Sequence, residues 1–373
     1  MKKIFSPILP LILATATVAV NAQDVTLRDA FKDAFLIGAA INQSQSDGGS
    51  SREGAIAAAQ FSSISPENVL KWEAVHPKPD RFDFSGADEY VAFGEKNHMF
   101  IVGHTLVWHS QTPKWVFQDD KGNPISRDAL IERMRKHIFT VVGHYKGKIG
   151  GWDVVNEALN DDGSLRDSPW RKIIGDDYIV LAFQFAHEAD PNAQLYYNDY
   201  SLENLPKQQG AIALIKNLQA HGVKVDGVGL QGHYKMGWPT AQQLDDSISA
   251  FSKLGIKVMI TEMDIDLLPP ATSSMGADVS MSVAARKELN PYADGLPDDM
   301  QQKLAQRYAD LFSVLVAHRN DVSRVTFWGI TDANSWLNDW PVLGRSSYPL
   351  LFDRDGNPKP AFAAVIKTAA AGK

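Results

Sequence analysis

Along most of the chain, short apolar and β-branched runs alternate with longer stretches whose apolar positions recur every three or four residues. The short runs predict strands at Phe35–Ile41, Ser62–Pro66, Phe100–Val107, Gly151–Val155, Gln194–Asn198, Val225–Gln231, Val258–Glu262 and Arg324–Trp328. Between them, Ser126 to Tyr145 sets Leu130, Met134, His137, Ile138 and Val141 on one helical face. Tyr178 to His187, Gln208 to Ala220, Ala241 to Leu254 and Met300 to His318 repeat that spacing. Eight strands, each followed by a helix or a helix-sized gap, predict an α/β fold, a (β/α)8 or TIM barrel in a single domain. No Gly-x-Gly-x-x-Gly follows an early strand, which argues against an open dinucleotide-binding sheet.

Two segments break the rhythm. Between Asp266 and Asp298 the chain runs through Pro269-Pro270, Gly276, Asn290-Pro291 and Gly295-Leu296-Pro297. This is a long loop after the seventh strand, on the barrel face where active sites sit. At the other end, Lys2 and Lys3 precede an apolar stretch from Ile4 to Val20, and Ala22 closes a small-residue cleavage site. Residues 1–22 therefore read as a signal peptide and 23–373 as the catalytic barrel. The expected product is secreted or periplasmic, with no membrane attachment after cleavage.

Composition narrows the function. The chain is 44% apolar and 22% charged, enough for a large core. A formal net charge of −7 without a Lys/Arg stripe excludes a nucleic-acid partner. Cysteine is absent, so neither disulfides nor thiolate zinc sites contribute. There is no Gly-x-Ser-x-Gly elbow and no Walker loop.

The candidate chemistry lies in two carboxylates. Trp152-Asp153-Val154-Val155-Asn156-Glu157 ends the fourth strand, and Val258 to Asp264 carries Glu262 at the end of the seventh. Both carboxylates belong at the C-terminal mouth of the barrel, where they can converge on one bond. Retaining glycoside hydrolysis needs two carboxyls about 5–5.5 Å apart, one attacking and one protonating the leaving oxygen. Glu262 is expected to be ionised and Glu157 protonated. Asn156 can bond a sugar 2-hydroxyl. Asp264 shares the face of Glu262, and His233 can bridge the two and orient the nucleophile.

Aromatic residues at strand ends fit the same picture. Trp108, Trp328 and Trp336 offer flat faces for a pyranose, whereas Trp152 reads as core. Glu67, Asn68 and Lys71 group an acceptor, an amide and a cation after the second strand, suited to sugar hydroxyls or equally to a salt-bridged helix start. His104, His109 and His233 could ligate a metal with the two glutamates, but their spacing matches no metal motif. No cofactor or metal is expected.

Taken in order, PENVLKWE, GHTLVWHSQTPKW, WDVVNEA, NDY, GVGLQGH, ITEMDI and WGITDANSW resemble the xylanases of glycoside hydrolase family 10 across nearly all of the chain beyond its leader. The resemblance implies Glu157 as acid/base, Glu262 as nucleophile, and retention of configuration. It implies that His104, Trp108, Asn156, Gln231, His233 and Trp328 line the subsite of the reacting sugar. Glu67, Asn68, Lys71 and Trp336 match the next glycon subsite, with Gln111 nearby. The implied partners are xylan and xylo-oligosaccharides, cut internally, and a monomer is the plain expectation. Leu267 to Pro297 exceeds the family pattern, and no appended carbohydrate-binding module is expected. Two alternatives remain: another barrel glycosidase, such as a β-glucanase or mannanase, and a sugar-binding barrel without catalysis.

Overall fold

The computed structural model describes residues 25–46, 51–270 and 286–371. Eight parallel strands close a barrel: β1 (Leu36–Ile41), β2 (Ser63–Pro66), β3 (Phe100–Trp108), β4 (Gly151–Asn156), β5 (Gln194–Asp199), β6 (Gly227–Leu230), β7 (Lys257–Asp266) and β8 (Val322–Phe327). Each pairs with its sequence neighbour, and β8 returns to β1 through Leu36 opposite Arg324. All eight expected strands are present, and the five expected helices lie at Arg127–His144, Tyr178–Ala189, Leu205–Ala220, Ala241–Ser252 and Asp298–Ala317. Three helix-sized gaps hold Arg52–Gln60, Ser85–Lys96 and Pro360–Ala371. Expected leader residues 1–22 and loop residues 271–285 lie outside the described residues.

Helix starts follow local chemistry. Ser126 accepts the Ala129 N–H, Ser168 accepts that of Arg171 with Pro169 at the first helical position, and Thr240 and Gln243 form a capping box. Inward faces of these helices pack on the strands, where Leu130, Ile138, Phe183, Ile215, Ile248 and Leu311 are fully buried. On the outer face of β4, Trp152 is 1% exposed, as its core reading requires. Its ring lies where a Cβ on Gly103 would come within 2.0 Å, so only glycine on β3 leaves room for it. Truncating such an aromatic costs about 3–5 kcal/mol. No described helix is long and apolar enough to cross a membrane.

The difference that matters for the site is at β7. The strand was expected to stop at Glu262, yet it runs on to Asp266. A short strand, His233–Lys235, pairs alongside and sets His233 opposite Asp264. That pairing satisfies backbone groups at the mouth and fixes three candidate residues in one plane.

Candidate active site

Glu157 follows directly on β4, with a left-handed backbone at φ +55°. Such a conformation costs a non-glycine residue roughly 1–3 kcal/mol and persists only when its surroundings hold it. Here the Glu157 N–H donates to the Asn198 carbonyl at 2.9 Å, and its own carbonyl accepts from Arg166 Nε at 3.0 Å. The side chain turns into the barrel mouth, 7% exposed. Oε1 accepts from Gln231 Nε2 and Oε2 from Trp108 Nε1, both at 2.9 Å. His109 Nε2 stands 4.0 Å from Oε2.

Glu262 is equally buried but has different company. Oε1 accepts from Asn198 Nδ2 at 2.8 Å, and Oε2 lies 3.3 Å from His233 Nε2. The other His233 nitrogen is 3.1 Å from Asp264 Oδ2, which also accepts from Trp336 Nε1 at 2.7 Å. Burial alone would lower the His233 pKa, but Asp264 and Glu262 outweigh it and push it up to about 10. Burial alone would raise the Glu262 pKa. The His233 hydrogen bond, the nearby His104 and His233 charges and the Asn198 amide overcome that and hold it below the ordinary carboxylate value.

Neutral amides join the two carboxylates. Asn198 Nδ2 also reaches Asn156 Oδ1 at 3.0 Å, and Gln231 Nε2 approaches the same oxygen at 3.3 Å while bonding Glu157. Thr261 Oγ1 donates to Asn198 Oδ1 at 2.6 Å, which fixes the orientation of that amide. Turned over, the Asn156 amide would instead donate to the Asn198 carbonyl at 3.2 Å and accept from Trp108 Nε1 at 3.3 Å, so both rotamers keep it in the network.

Beside this pair, Lys71 Nζ donates to Asn68 Oδ1 at 3.0 Å and Gln111 Oε1 at 2.8 Å. It also lies 5.2 Å from the centre of the Trp108 ring. Burial lowers the Lys71 pKa against the pull of Glu262, Glu67, Glu157 and Glu73. Burial raises that of Glu67, opposed by Lys71 and by a hydrogen bond from Asn42. A fixed cation and a ring of acceptors and amides next to a carboxylate pair suit a polyhydroxylated substrate better than an anionic one.

The whole-chain comparisons agree with this geometry. The model of "Glycosyl hydrolase family 10" matches residues 26–368. The chain is 44% identical to endo-1,4-beta-xylanase A of Xylanibacter ruminicola, over 96% of this chain and 96% of that protein. It is 41% identical to an endo-1,4-beta-xylanase of Geobacillus stearothermophilus, over 91% and 98% respectively. The barrel superposes with a TM-score of 0.86 on a GH10 endoxylanase from a sugarcane soil metagenome, at 43% identity, covering 92% of this chain and 99% of that one.

The chain belongs to glycosyl hydrolase family 10.

Within this family 10 barrel, the expected residues come together, though not all in the expected way. Trp108 and Trp328 are 7% and 8% exposed, so each shows the mouth an edge, much as the two glutamates do. Trp108 is also a donor to Glu157, and Trp328 meets the rings of His104 and His233 edge-on. Trp336 is half-buried and stacked on Trp340 at 4.7 Å, the arrangement closest to a sugar-facing surface. His104 is nearly fully buried and bonds Asp153 at 2.9 Å, acting on the mouth from beneath. Among the described residues no group of three or more His, Asp or Glu is arranged to hold a metal ion. Sequence reasoning gave Asn198 no role, although it bonds Glu262 and Asn156 at once. Its only sequence signal was position, near the end of a strand in the NDY motif.

Proposed function

We propose that this chain is a retaining endo-1,4-β-xylanase acting on xylan and xylo-oligosaccharides. The observation that carries the reading is the unequal environment of two buried carboxylates joined by one amide network. Glu262 is held as the carboxylate and attacks the anomeric carbon. As that C–O bond breaks, Glu157 gives its proton to the departing glycosidic oxygen. The product is a glycosyl ester on Glu262. Water then attacks the same carbon, Glu157 takes its proton, and Glu262 leaves as carboxylate, so the configuration is retained overall.

The remaining residues bind and orient. Asn156 is placed to bond the 2-hydroxyl of the reacting xylose, and Asp264 keeps His233 protonated against Glu262. Glu67, Asn68, Lys71, Gln111 and Trp336 hold the next sugar on the glycon side. Both named relatives above are endo-1,4-beta-xylanases, which supports internal cleavage of the same backbone. We further propose export with cleavage after Ala22 and a monomeric product, to be checked by N-terminal sequencing and by sedimentation.

The test is to follow viscosity and reducing ends together on soluble xylan, carboxymethyl-cellulose and mannan. A fast viscosity drop confined to xylan is expected. Cutting of carboxymethyl-cellulose or mannan with xylan intact would leave the carboxylate roles and reject the substrate. Binding of xylan without cleavage would reject catalysis.

A further inference from the structure

Behind the turn that carries Glu157 lies a buried ion pair that the reaction itself does not use. Lys207 Nζ sits 2.9 Å from Asp199 Oδ1, and both side chains are 0% exposed. Burying two charges is costly unless the geometry around them is well satisfied, so a pair this deep needs a reason. Its surroundings point one way. Asp199 Oδ2 accepts from Tyr197 Oη at 2.5 Å and from the Leu159 N–H at 3.4 Å, and Leu159 is two residues past Glu157. Asp199 Oδ1 takes the Tyr200 N–H at 2.9 Å. The Lys207 ammonium lies 3.1 Å from the centre of the Tyr200 ring, and the Tyr200 hydroxyl accepts from Arg166 Nη2 at 3.0 Å. Arg166 in turn holds the Glu157 carbonyl. The circuit starts and ends on the acid/base turn.

The same turn is laid tightly on the helix that supplies Lys207. A Cβ on Gly163 would stand 2.3 Å from the Pro206 carbonyl oxygen, and one on Gly210 would stand 2.3 Å from that of Gly163. Gly163 also needs its positive φ of +83°. Backbone therefore meets backbone, with no side chain to cushion a shift. Burial raises the Asp199 pKa to about 6 against the pull of Lys207.

We propose that the Lys207–Asp199 pair and the Gly163–Gly210 contact form a positioning element for the acid/base, holding the turn after β4 so that the left-handed Glu157 keeps its proton aimed at the glycosidic oxygen. The proposal rests on the reading of Glu157 as acid/base. Lys207 and Asp199 are positioning residues and touch no reacting atom. Loosening the turn degrades proton delivery and leaves attack by Glu262 on the opposite side of the mouth intact.

The experiment compares kcat/KM on aryl β-xylobiosides with phenol leaving groups of graded acidity, which share one aromatic ring as aglycon but differ in their need for an acid. The variants are Lys207→Met, Asp199→Asn, the double variant K207M/D199N and Gly210→Ala. The double variant removes both buried charges and leaves only the exposed Asp161, 3.7 Å from Lys207 Nζ, without its partner, and Gly210→Ala keeps the pair while displacing the turn, so the test survives failure of a single variant to fold. For phenyl xylobioside, kcat/KM is expected to fall about 10- to 100-fold. For 2,4-dinitrophenyl xylobioside, which departs without a proton, the fall is expected to stay below about threefold. Equal losses across the series, or none, would overturn the positioning role. An inactive wild type would instead sink the activity reading on which it depends.

Discussion

The two glutamates are chemically identical, equally buried and joined through shared amides, yet their surroundings oppose each other. Around Glu262 stand an imidazolium and an amide, with a second carboxylate behind the imidazole to keep it charged. The hydrogen bonds to Glu157 come from an indole and a carboxamide, neither of which carries a formal charge. A cation stabilises an anion over a longer range than a neutral donor does, so the His233 side of the mouth favours a standing negative charge on Glu262. The proposed division of labour between nucleophile and acid rests on this difference in partners.

The sharpest way to break this contrast is to remove the charged member. Glu262→Ala should lower kcat on xylan by about 10⁴-fold or more, read from reducing ends, with binding of xylo-oligosaccharides preserved. Retention of even a tenth of the activity would place the nucleophile elsewhere. Glu157→Ala should cost less, about 10²- to 10⁴-fold on xylan, and very little in kcat/KM on a dinitrophenyl xylobioside. Similar losses on both substrates would erase the distinction between the two sites.

His233→Asn probes the origin of the contrast. Without the imidazolium the Glu262 pKa rises, so the acid limb of the pH–rate profile should move to higher pH, with roughly a 10- to 100-fold loss in kcat from poorer orientation. An unmoved limb would mean that His233 does not set the charge of Glu262. Because the folded His233 pKa is raised to about 10 from 6.5, its stabilising contribution is complete below 6.5 and fades as pH climbs towards 10.

A second histidine supplies the control with opposite sign. His76 lies in the core, its Nδ1 3.2 Å from that of His137, and His137 stacks on Trp72 at 3.6 Å. Burial there lowers the His76 pKa to about 4 from 6.5. Stability linked to His76 is therefore complete above 6.5 and is lost as pH falls towards 4. His76→Phe should flatten the decline in melting temperature across that window, a small effect readable by calorimetry. An unchanged decline would assign the acid sensitivity to other groups.

Much of this protein was legible in its linear pattern. Helix and strand periods are local properties, so eight strands and five helices could be read off residue spacing. Positions at strand ends brought out Glu157 and Glu262 because a parallel barrel sends all such ends to one face. Roles that depend on a neighbour in space could not be read that way. Trp108 gives its N–H to a glutamate 49 residues away, a partner that spacing alone does not reveal. Lys207 lies just before the expected Gln208–Ala220 helix, and only the fold brings it into that helix and buries it against Asp199.

What the chain determined by itself was therefore the barrel, the mouth and the two carboxylates facing it. Tertiary structure decided what surrounds each of them, and that Glu262 is held as an anion. It did so by extending β7 beside His233, and by bringing Asn198 to Glu262 across 64 residues and Gln231 to Glu157 across 74. The reason is physical: hydrophobic period is written in residue order, whereas proton affinity is set by burial and by charges a few ångströms away, and those exist only once the strands have closed.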